Sequence, residues 1–385
     1  MRRVFPLLAA SLIVEASLFA AVAPLLPEYS QQHDLSKAAA GVLVGAHPAG
    51  TFVSAIPLGW LAARWGVKPT LLASLALIAV SSAAFGFAQD IVFLDAARFM
   101  QGVGGAGVSA AAMSWVVAVS PPERRGEKLG LAVGASIVGI LVGPGLGGFA
   151  TAVGTEAIFG GVAAAAAVLA LLTLAMPAPE AHKRGALDHL RVALTRPAVL
   201  AGLWVFMVPG VLAGLIEVLE PLRLSGLGAS GPLIGAIFVG CAAIEAVASP
   251  LAGRLSDRRG RRRPLQVGFT VAAITAVGLP AVDSTVLITV CLAVGFVAIG
   301  LCWAPGMANL SDAALAAHLP LPMAFSVSNL AWSGGHLTGA TAGAPLAAAW
   351  SDAGAYGLVA LLCVVTLGAT LGRRHPVFHD VGHSG

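Results

Sequence analysis

Ionisable side chains stand in the middle of long apolar stretches of this sequence, where they could carry protons or bind a charged solute. Glu15 lies between Val14 and Ala16 in a stretch with no opposite charge, and Glu245 occupies a second such stretch. A charged group at membrane depth is costly and normally marks a pathway or a relay. Both carboxyls are therefore candidate coupling or substrate-binding acids, with a protonated structural carboxyl as the alternative.

A third apolar stretch contains an acid and a base at helical spacing. Asp95 and Arg98 are three residues apart, and Gln101 follows three residues later, so all three share one helix face. Residues at this spacing can pair along a helix. We expect a local Asp95–Arg98 pair that takes part in the pathway, the alternative being an acid that only neutralises Arg98 near the interface.

Two more apolar stretches contain ionisable side chains that are candidates for the pathway. Glu217 is a candidate for the pathway, whereas Glu220 is expected to reach water. His336 can change its charge near neutral pH, although a lone membrane histidine is more often a hydrogen-bonding residue between helices. It shares its stretch with Asn329 and Trp332, which would form a polar and aromatic cavity wall.

The composition predicts an all-α membrane protein. Hydrophobic residues make up 58% of the 385 residues and charged residues 10%, whereas a soluble chain carries about 25% charge. The net charge of +4 comes from loops between apolar stretches, so we expect no nucleic-acid partner. The four cysteines lie in apolar stretches without the spacing of a disulfide framework or a metal site.

A bilayer core needs about 20 apolar residues per helix, and the pattern predicts twelve spans. The predicted spans are Val4–Pro27, Ala38–Ala63, Thr70–Ala88, Ile91–Val119, Leu129–Val153, Ala157–Met176, Ala198–Glu220, Gly231–Gly253, Leu265–Val282, Val286–Ala308, Leu321–Trp350 and Ala355–Leu371. The longest polar stretch, 177–197, is predicted to be a cytoplasmic linker. It divides the chain into two halves, 1–176 and 198–372, followed by a short cytoplasmic tail, 373–385.

Basic residues orient the predicted bundle. Of the 22 lysines and arginines, all except Lys37, Arg223 and Arg98 fall on the side of the two termini. Cytoplasmic loops carry such an excess of Lys and Arg. We therefore expect a multi-pass protein of the cytoplasmic (inner) membrane with both termini in the cytoplasm.

The two halves echo each other in the loops after the second and eighth spans. The sequences GWLAARWGVKP (Gly59–Pro69) and GRLSDRRGRRRP (Gly253–Pro264) place glycines and basic residues at matching positions. These residues are candidates for loops that gate the cytoplasmic side, the alternative being simple positive anchors. They are Gly59, Arg64, Gly66 and Lys68 in the first loop, and Gly253, Asp257, Arg258, Gly260 and Arg261 in the second.

The fifth span is unusually rich in glycine. Its sequence GLAVGASIVGILVGPGLGG contains Gly130, Gly139, Gly143, Pro144, Gly147 and Gly148. Each interior Gly costs about 1 kcal/mol in a soluble helix, but in a bilayer small residues let helix backbones approach closely. The pattern predicts a closely packed, kinked helix.

These motifs, in this order, resemble those of the major facilitator superfamily, and the fifth-span motif resembles that of its twelve-span drug:proton antiporters. The fourth-span residues Arg98, Gln101 and Gly102 resemble the motif whose arginine is tied to proton coupling in that family. The resemblance covers essentially the whole chain and implies two pseudo-symmetric six-helix bundles, with a monomer as the usual form. It also implies multidrug efflux, in which a small organic compound leaves in exchange for protons. Ala63 stands where the first loop of the family usually has Asp, so the first loop lacks the acid that the gating role implied by the resemblance would need.

Other classes of function lack their motifs. The sequence has no phosphate-binding loop, dinucleotide fingerprint, HExxH pair or nucleophile elbow. We therefore expect no enzyme, cofactor or metal, and a small-molecule substrate, protons and the lipid bilayer as partners. A proton-coupled importer or uniporter on the same fold remains an alternative, and a non-transporting membrane sensor is a more distant one.

Overall fold

The structure is a computed structural model that describes residues 4–121, 124–179, 190–191, 193–319 and 321–371, without the side chains of 126, 257, 259, 321 and 322. The described residues form helices and no strand. The long helices are α1 (Val4–Ala20), α2 (Lys37–Trp65), α3 (Val67–Phe87), α4 (Ile91–Val119), α5 (Arg125–Val153), α6 (Thr155–Leu174), α7 (Pro197–Gly226), α8 (Gly231–Arg259), α9 (Arg262–Gly278), α10 (Thr285–Ala316), α11 (Leu321–Thr338) and α12 (Asp352–Leu371). Most of the predicted linker and the whole predicted tail lie outside the described residues.

Within the described residues, eleven helices are long and apolar enough to cross a membrane. The prediction of twelve spans is thus met in all but the eleventh, which was predicted over Leu321–Trp350 with some turn at the interface. There the α-helix ends at Thr338, five residues (Gly339–Gly343) form a π-helix, and a short helix follows over Ala344–Ala349. Ser328, Asn329, Ser333 and His336 lower the hydropathy of α11.

The first span is also less regular than predicted. Helix α1 ends at Ala20, a short 3₁₀ turn covers Ala23–Leu25, and a second helix runs over Leu26–Gln32. Pro24 lies in the turn and has no N–H group to continue the helical hydrogen bonds. The break leaves carbonyl groups at the end of α1 that need donors from elsewhere.

The helices pack in a pattern that repeats after six spans. In the first half α1 packs on α5, α2 and α3 pack on α4, and α3 packs on α6. In the second half α7 packs on α11, α8 and α9 pack on α10, and α9 packs on α12. The main contacts between the halves are α2 with α11 and α5 with α8, which correspond to each other under the same repeat.

The repeat extends to single residues in the two matching loops. Gly66 (φ 106°) joins α2 to α3 and Gly260 (φ 83°) joins α8 to α9, and only glycine adopts such angles readily. Two residues later, Lys68 donates hydrogen bonds to the carbonyls of Leu174 and Met176 at the end of α6. Arg262 likewise donates to the carbonyl of Leu371 at the end of α12. Both cations therefore cap a helix of their own half.

The glycines of α5 divide into three groups. Gly139 and Gly143 face the backbone of α1, where a Cβ atom on Gly143 would lie 2.6 Å from the Ser17 carbonyl oxygen, and Gly147 faces Ala21, just after α1 ends. Gly148 faces α8, where its added Cβ would lie 3.2 Å from the Cα of Gly235. Gly130 has open space around it. Close packing is thus the role of α5 on two sides, and Gly130 takes no part in it.

We expect Gly143→Ala to destabilise the protein and Gly130→Ala to leave it unchanged or slightly more stable. The first change forces the backbones of α1 and α5 apart, and overpacking of this kind costs about 1–3 kcal/mol. The second change adds a methyl group with nothing within 4 Å. Thermal unfolding of both variants in the same detergent would measure the difference, and equal midpoints would contradict the packing role of Gly143.

A candidate transport cavity between the two halves

A central cavity of about 190 Å³ lies among eight of the twelve helices. Its lining residues come from α1, α2, α4 and α5 of the first half and from α7, α8, α10 and α11 of the second. Helices α3, α6, α9 and α12 contribute no described residue to this lining. The cavity is therefore walled by both halves and lies where movement of one half against the other would change its access.

Three carboxylates line this cavity, namely Glu15, Glu217 and Glu245. The sequence predicted all three as part of the pathway, and the structure brings them to one space from α1, α7 and α8. Among the described residues no group of three or more His, Cys, Asp or Glu is arranged to hold a metal ion.

Glu15 lies against α4. Ser109 of α4 lines the same cavity as Glu15. A Cβ atom on Gly105, one turn earlier on α4, would approach the Glu15 Oε1 atom to 3.1 Å. Glu15 can therefore pack closely against α4 at the cavity wall because Gly105 has no side chain.

Glu245 lies against α10 in a similar way. A Cβ atom on Gly300 would lie 3.2 Å from the Cγ atom of Glu245, so the glutamate side chain rests over a gap in the surface of α10. No hydrogen bond or ion pair is formed by Glu245 with the rest of the described chain. Its carboxylate faces the cavity without a partner.

Glu217 differs from the other two acids because it faces a base. Its Oε2 atom lies 3.2 Å from Nε2 of His336, close enough for an ion pair when the histidine is protonated, although the two atoms are not aligned as a hydrogen bond. The His336 ring also packs edge-on against Phe19 of the first half, with ring centroids 4.7 Å apart. Phe19 also packs edge-on against His47, with ring centroids 5.6 Å apart, so one ring contacts two buried histidines from opposite halves.

The expected ion pair between Asp95 and Arg98 is absent from the described structure. Arg98 is fully buried and its NH1 donates to the Leu18 carbonyl at 2.7 Å and to Oε1 of Gln101 at 3.1 Å, while NH2 donates to the Phe19 carbonyl at 3.3 Å. The broken end of α1 offers free carbonyl groups, and these compete successfully for the guanidinium. Arg98 thus fixes the backbone that carries Phe19.

Asp95, Arg98 and Gln101 lie outside the lining of the cavity. Gln101 is buried and donates to the hydroxyl of Ser82 on α3 at 3.3 Å. The Oδ1 atom of Asp95 is buried with no hydrogen-bond partner among the described residues. The fourth-span group therefore supports the cavity wall from behind.

The expected polar and aromatic wall is present on α11. Asn329 and Trp332 both line the cavity, together with Ser333. Trp332 packs against Phe206 of α7 with centroids 5.8 Å apart, and Phe206 packs against Trp303 of α10 at 6.1 Å. Three helices of the second half thus share one aromatic surface.

The predicted gating loops make their described contacts within their own halves. Arg64 is exposed and lies 5.6 Å from the Trp60 ring centroid, Gly59 is buried, and Gly253 lies near Ala304 of α10. Arg261 pairs with Asp312 of α10, and Arg258 is exposed. The side chain of Asp257 lies outside the described residues, so the gating role of these loops stays a prediction.

The end of the bundle opposite to the termini holds a charged contact between the halves. Lys37 at the start of α2 and Asp352 at the start of α12 form an ion pair of 2.6 Å.

The expectation that Glu220 reaches water is wrong. Its side chain is fully buried, accepts a hydrogen bond from the Tyr356 hydroxyl at 2.6 Å and pairs with Arg223 at 3.1 Å, because these donors replace water around the carboxylate.

A sequence model of the Major Facilitator Superfamily matches residues 8–320 and 218–380 of this chain. The chain belongs to the major facilitator superfamily. Solved major facilitator structures have the same fold: a D-xylose-proton symporter superposes with a TM-score of 0.75 at 16% identity, covering 97% of both chains. A bacterial homolog of the human lysosomal transporter Spinster, in an inward-facing and occupied conformation, gives 0.73 at 16% identity over 95% of this chain and 96% of that one.

Among proteins of the superfamily, multidrug resistance protein 2 of Bacillus subtilis (strain 168) is 23% identical over 288 residues, which are 71% of this major facilitator and 72% of that protein. The synaptic vesicular amine transporter of Rattus norvegicus is 34% identical over 91 residues, which are 23% of this chain and 18% of that transporter. Similarity to the second protein is thus confined to a short part of each chain.

Several residues of the site carried too weak a signal in the sequence. Phe19 is one apolar residue among many in its span, and Ser109 is one of two serines in α4. The ion pair of Lys37 with Asp352 joins residues 315 positions apart. Only the packing of the helices shows which of these residues meet.

Proposed function

We propose that this protein is a secondary active transporter that exports a small organic compound in exchange for protons. The observation that carries the proposal is the cavity between the two halves, lined by three carboxylates in an otherwise largely apolar wall. Protonation of Glu15 or Glu245 from outside would release the substrate, and deprotonation towards the cytoplasm would restore binding. The relative named multidrug resistance protein 2 supports the direction of export.

The proposed mechanism needs two six-helix bundles, residues 1–176 and 198–372, that rock against each other about the cavity. The protein would act as a monomer in the cytoplasmic membrane, with both termini in the cytoplasm. The helix packing of the first six spans recurs in the second six, which supports this division. Parallel repeats of this kind allow alternating access by rigid-body movement of one half against the other.

Loss of the ion pair between Lys37 and Asp352 should loosen the end of the bundle opposite to the termini. The Lys37 side chain is 40% exposed and that of Asp352 is 21% exposed, so the pair contributes about 0–1 kcal/mol. We expect Lys37→Met to increase the labelling of cysteines placed along the outer half of the cavity several-fold. Restored protection in the charge-swapped variant Lys37→Asp/Asp352→Lys would confirm the pair, and unchanged labelling of Lys37→Met would contradict its role.

The proposed antiport can be tested in inside-out vesicles with a panel of fluorescent organic compounds. A proton gradient, acid inside, should drive accumulation of at least one compound, and collapse of the gradient by an ionophore should release it. Accumulation in right-side-out vesicles under an inward proton gradient would show the alternative importer. Flux that follows the compound's own gradient and ignores protons would show a uniporter, and no flux at all would favour the sensor.

A further inference from the structure

We infer that Tyr356 and Glu220 are positioning residues, whose hydrogen bond holds the start of α12 so that Asp352 meets Lys37 of the other half. The bond between Tyr356 and Glu220 thereby helps to keep the end of the bundle opposite to the termini closed, although both residues belong to the second half. This inference rests on the proposed function, because opening of that end is the step by which a substrate would leave.

Asp352 and Tyr356 lie one turn apart on α12, and residues at this spacing share a helix face. The Asp352 carboxylate pairs with Lys37 of α2 at 2.6 Å. The Tyr356 hydroxyl donates to the Glu220 carboxylate of α7, also at 2.6 Å. The first turn of α12 is thus joined to the other half by one residue and to its own half by the next residue on the same face.

Glu220 is a firm anchor because it is held from a second side within its own half. Its side chain is fully buried, and Arg223, one turn later on α7, donates to both carboxylate oxygens at 3.1 Å. Arg223 also donates to the carbonyls of Leu279 and Val282, just after α9 ends. Hydrogen bonds between charged groups are stronger than those between neutral groups. Glu220 is therefore fixed relative to both α7 and α9, and it fixes the tyrosine that donates to it.

A second hydrogen bond joins the same two helices near their other ends. Nε1 of Trp204 on α7 donates to Oγ1 of Thr366 on α12 at 3.0 Å. Thr366 lies ten residues after Tyr356, which is about 15 Å along a helix. Loss of this bond would loosen α12 from α7 far from the residues that meet Lys37. Thr366→Val is therefore a matched control for Tyr356→Phe.

The other tyrosine of the chain provides a second control. Tyr29 is buried in the first half, where its ring packs edge-on against Phe85. Its hydroxyl forms no hydrogen bond with the described residues of the second half. Tyr29→Phe thus removes the same atom as Tyr356→Phe but leaves every described bond between α7 and α12 in place.

The inference can be tested by labelling cysteines placed along the outer half of the cavity with a membrane-impermeant maleimide. We expect Tyr356→Phe to increase the labelling rate about two- to fivefold, because the bond acts through an ion pair that is itself partly exposed. The double variant Lys37→Met/Tyr356→Phe should be labelled no faster than Lys37→Met, because both changes act on one contact. Thr366→Val and Tyr29→Phe should be labelled as the wild type is.

The double variant decides whether Tyr356 acts through Lys37. Independent effects would multiply in it, and that result would overturn the inference. Unchanged labelling of Tyr356→Phe would also overturn it, and so would an equal increase in Thr366→Val, which would show general loosening of α12 from α7. Labelling needs neither substrate nor a proton gradient, so absence of antiport in vesicles would disprove the proposed function and leave this result standing.

Discussion

Replacement of Glu15 by glutamine is expected to reduce proton-driven transport to the level of vesicles without the protein. The variant keeps the shape and size of the side chain that packs over Gly105, so the fold and the cavity should be preserved. It removes a carboxyl group that can gain and lose a proton inside the cavity. Uptake into inside-out vesicles under an imposed proton gradient would measure the loss.

The control for this experiment is Glu156→Gln, because Glu156 is an exposed glutamate at the start of α6 and outside the central cavity. It should transport as the wild type does. Exchange of labelled substrate across the membrane without a proton gradient should persist in Glu15→Gln, since the cavity can still open to both sides. Proton-driven uptake at the wild-type rate in Glu15→Gln would exclude Glu15 as the coupling acid.

The fold could be predicted from the sequence because each span carries its own signal. Length, hydropathy and the glycines of α5 are local properties, and a bilayer imposes them strongly. The repeat of Gly66 and Lys68 in Gly260 and Arg262 was visible in the sequence, and the structure gives it a physical meaning, because both cations cap the last helix of their half. The same contacts weaken the view of these loops as gates alone.

The breaks in α1 and α11 were harder to predict. Pro24 and the glycines from 339 to 343 were visible, but a break depends on whether neighbouring helices supply hydrogen bonds to the freed backbone. Those donors and acceptors come from distant parts of the chain, as with Arg98 and the carbonyls of α1. The predicted spans therefore located each regular helix, although α7, α8 and α10 continue past the predicted ends at Glu220, Gly253 and Ala308. They did not show the breaks, which depend on contacts with other helices.

Pairing of charges was the least predictable part. Asp95 was the nearest partner of Arg98 along the helix, and Glu220 was near the interface, so both expectations followed from sequence spacing. In the structure Arg98 turns to α1, and Glu220 is enclosed by Arg223 and Tyr356. Sequence spacing could have shown the pair of Glu220 with Arg223, which lies three residues later on α7. It could not show the contacts with α1 and with Tyr356 of α12, because these come from distant parts of the chain.

Replacement of Arg98 by methionine is expected to destabilise the protein severely and to abolish transport. The change leaves the carbonyls of Leu18 and Phe19 without their donor, and each buried acceptor without a partner costs about 1–3 kcal/mol. The end of α1 would then no longer hold Phe19 against His47 and His336. Thermal unfolding in detergent and vesicle transport would measure the two effects.

Arg98→Lys distinguishes the positioning role from a role of the charge alone. Lysine keeps the positive charge but lacks the planar fork that reaches two carbonyls and Gln101 together. We expect Arg98→Lys to recover part of the stability and little of the transport. Lysine would donate to one of the two carbonyls, those of Leu18 and Phe19, that bind Arg98 in the wild type. Full transport by Arg98→Lys would show that charge at this depth is sufficient, and the placement of Phe19 by the arginine would then have no part in the mechanism.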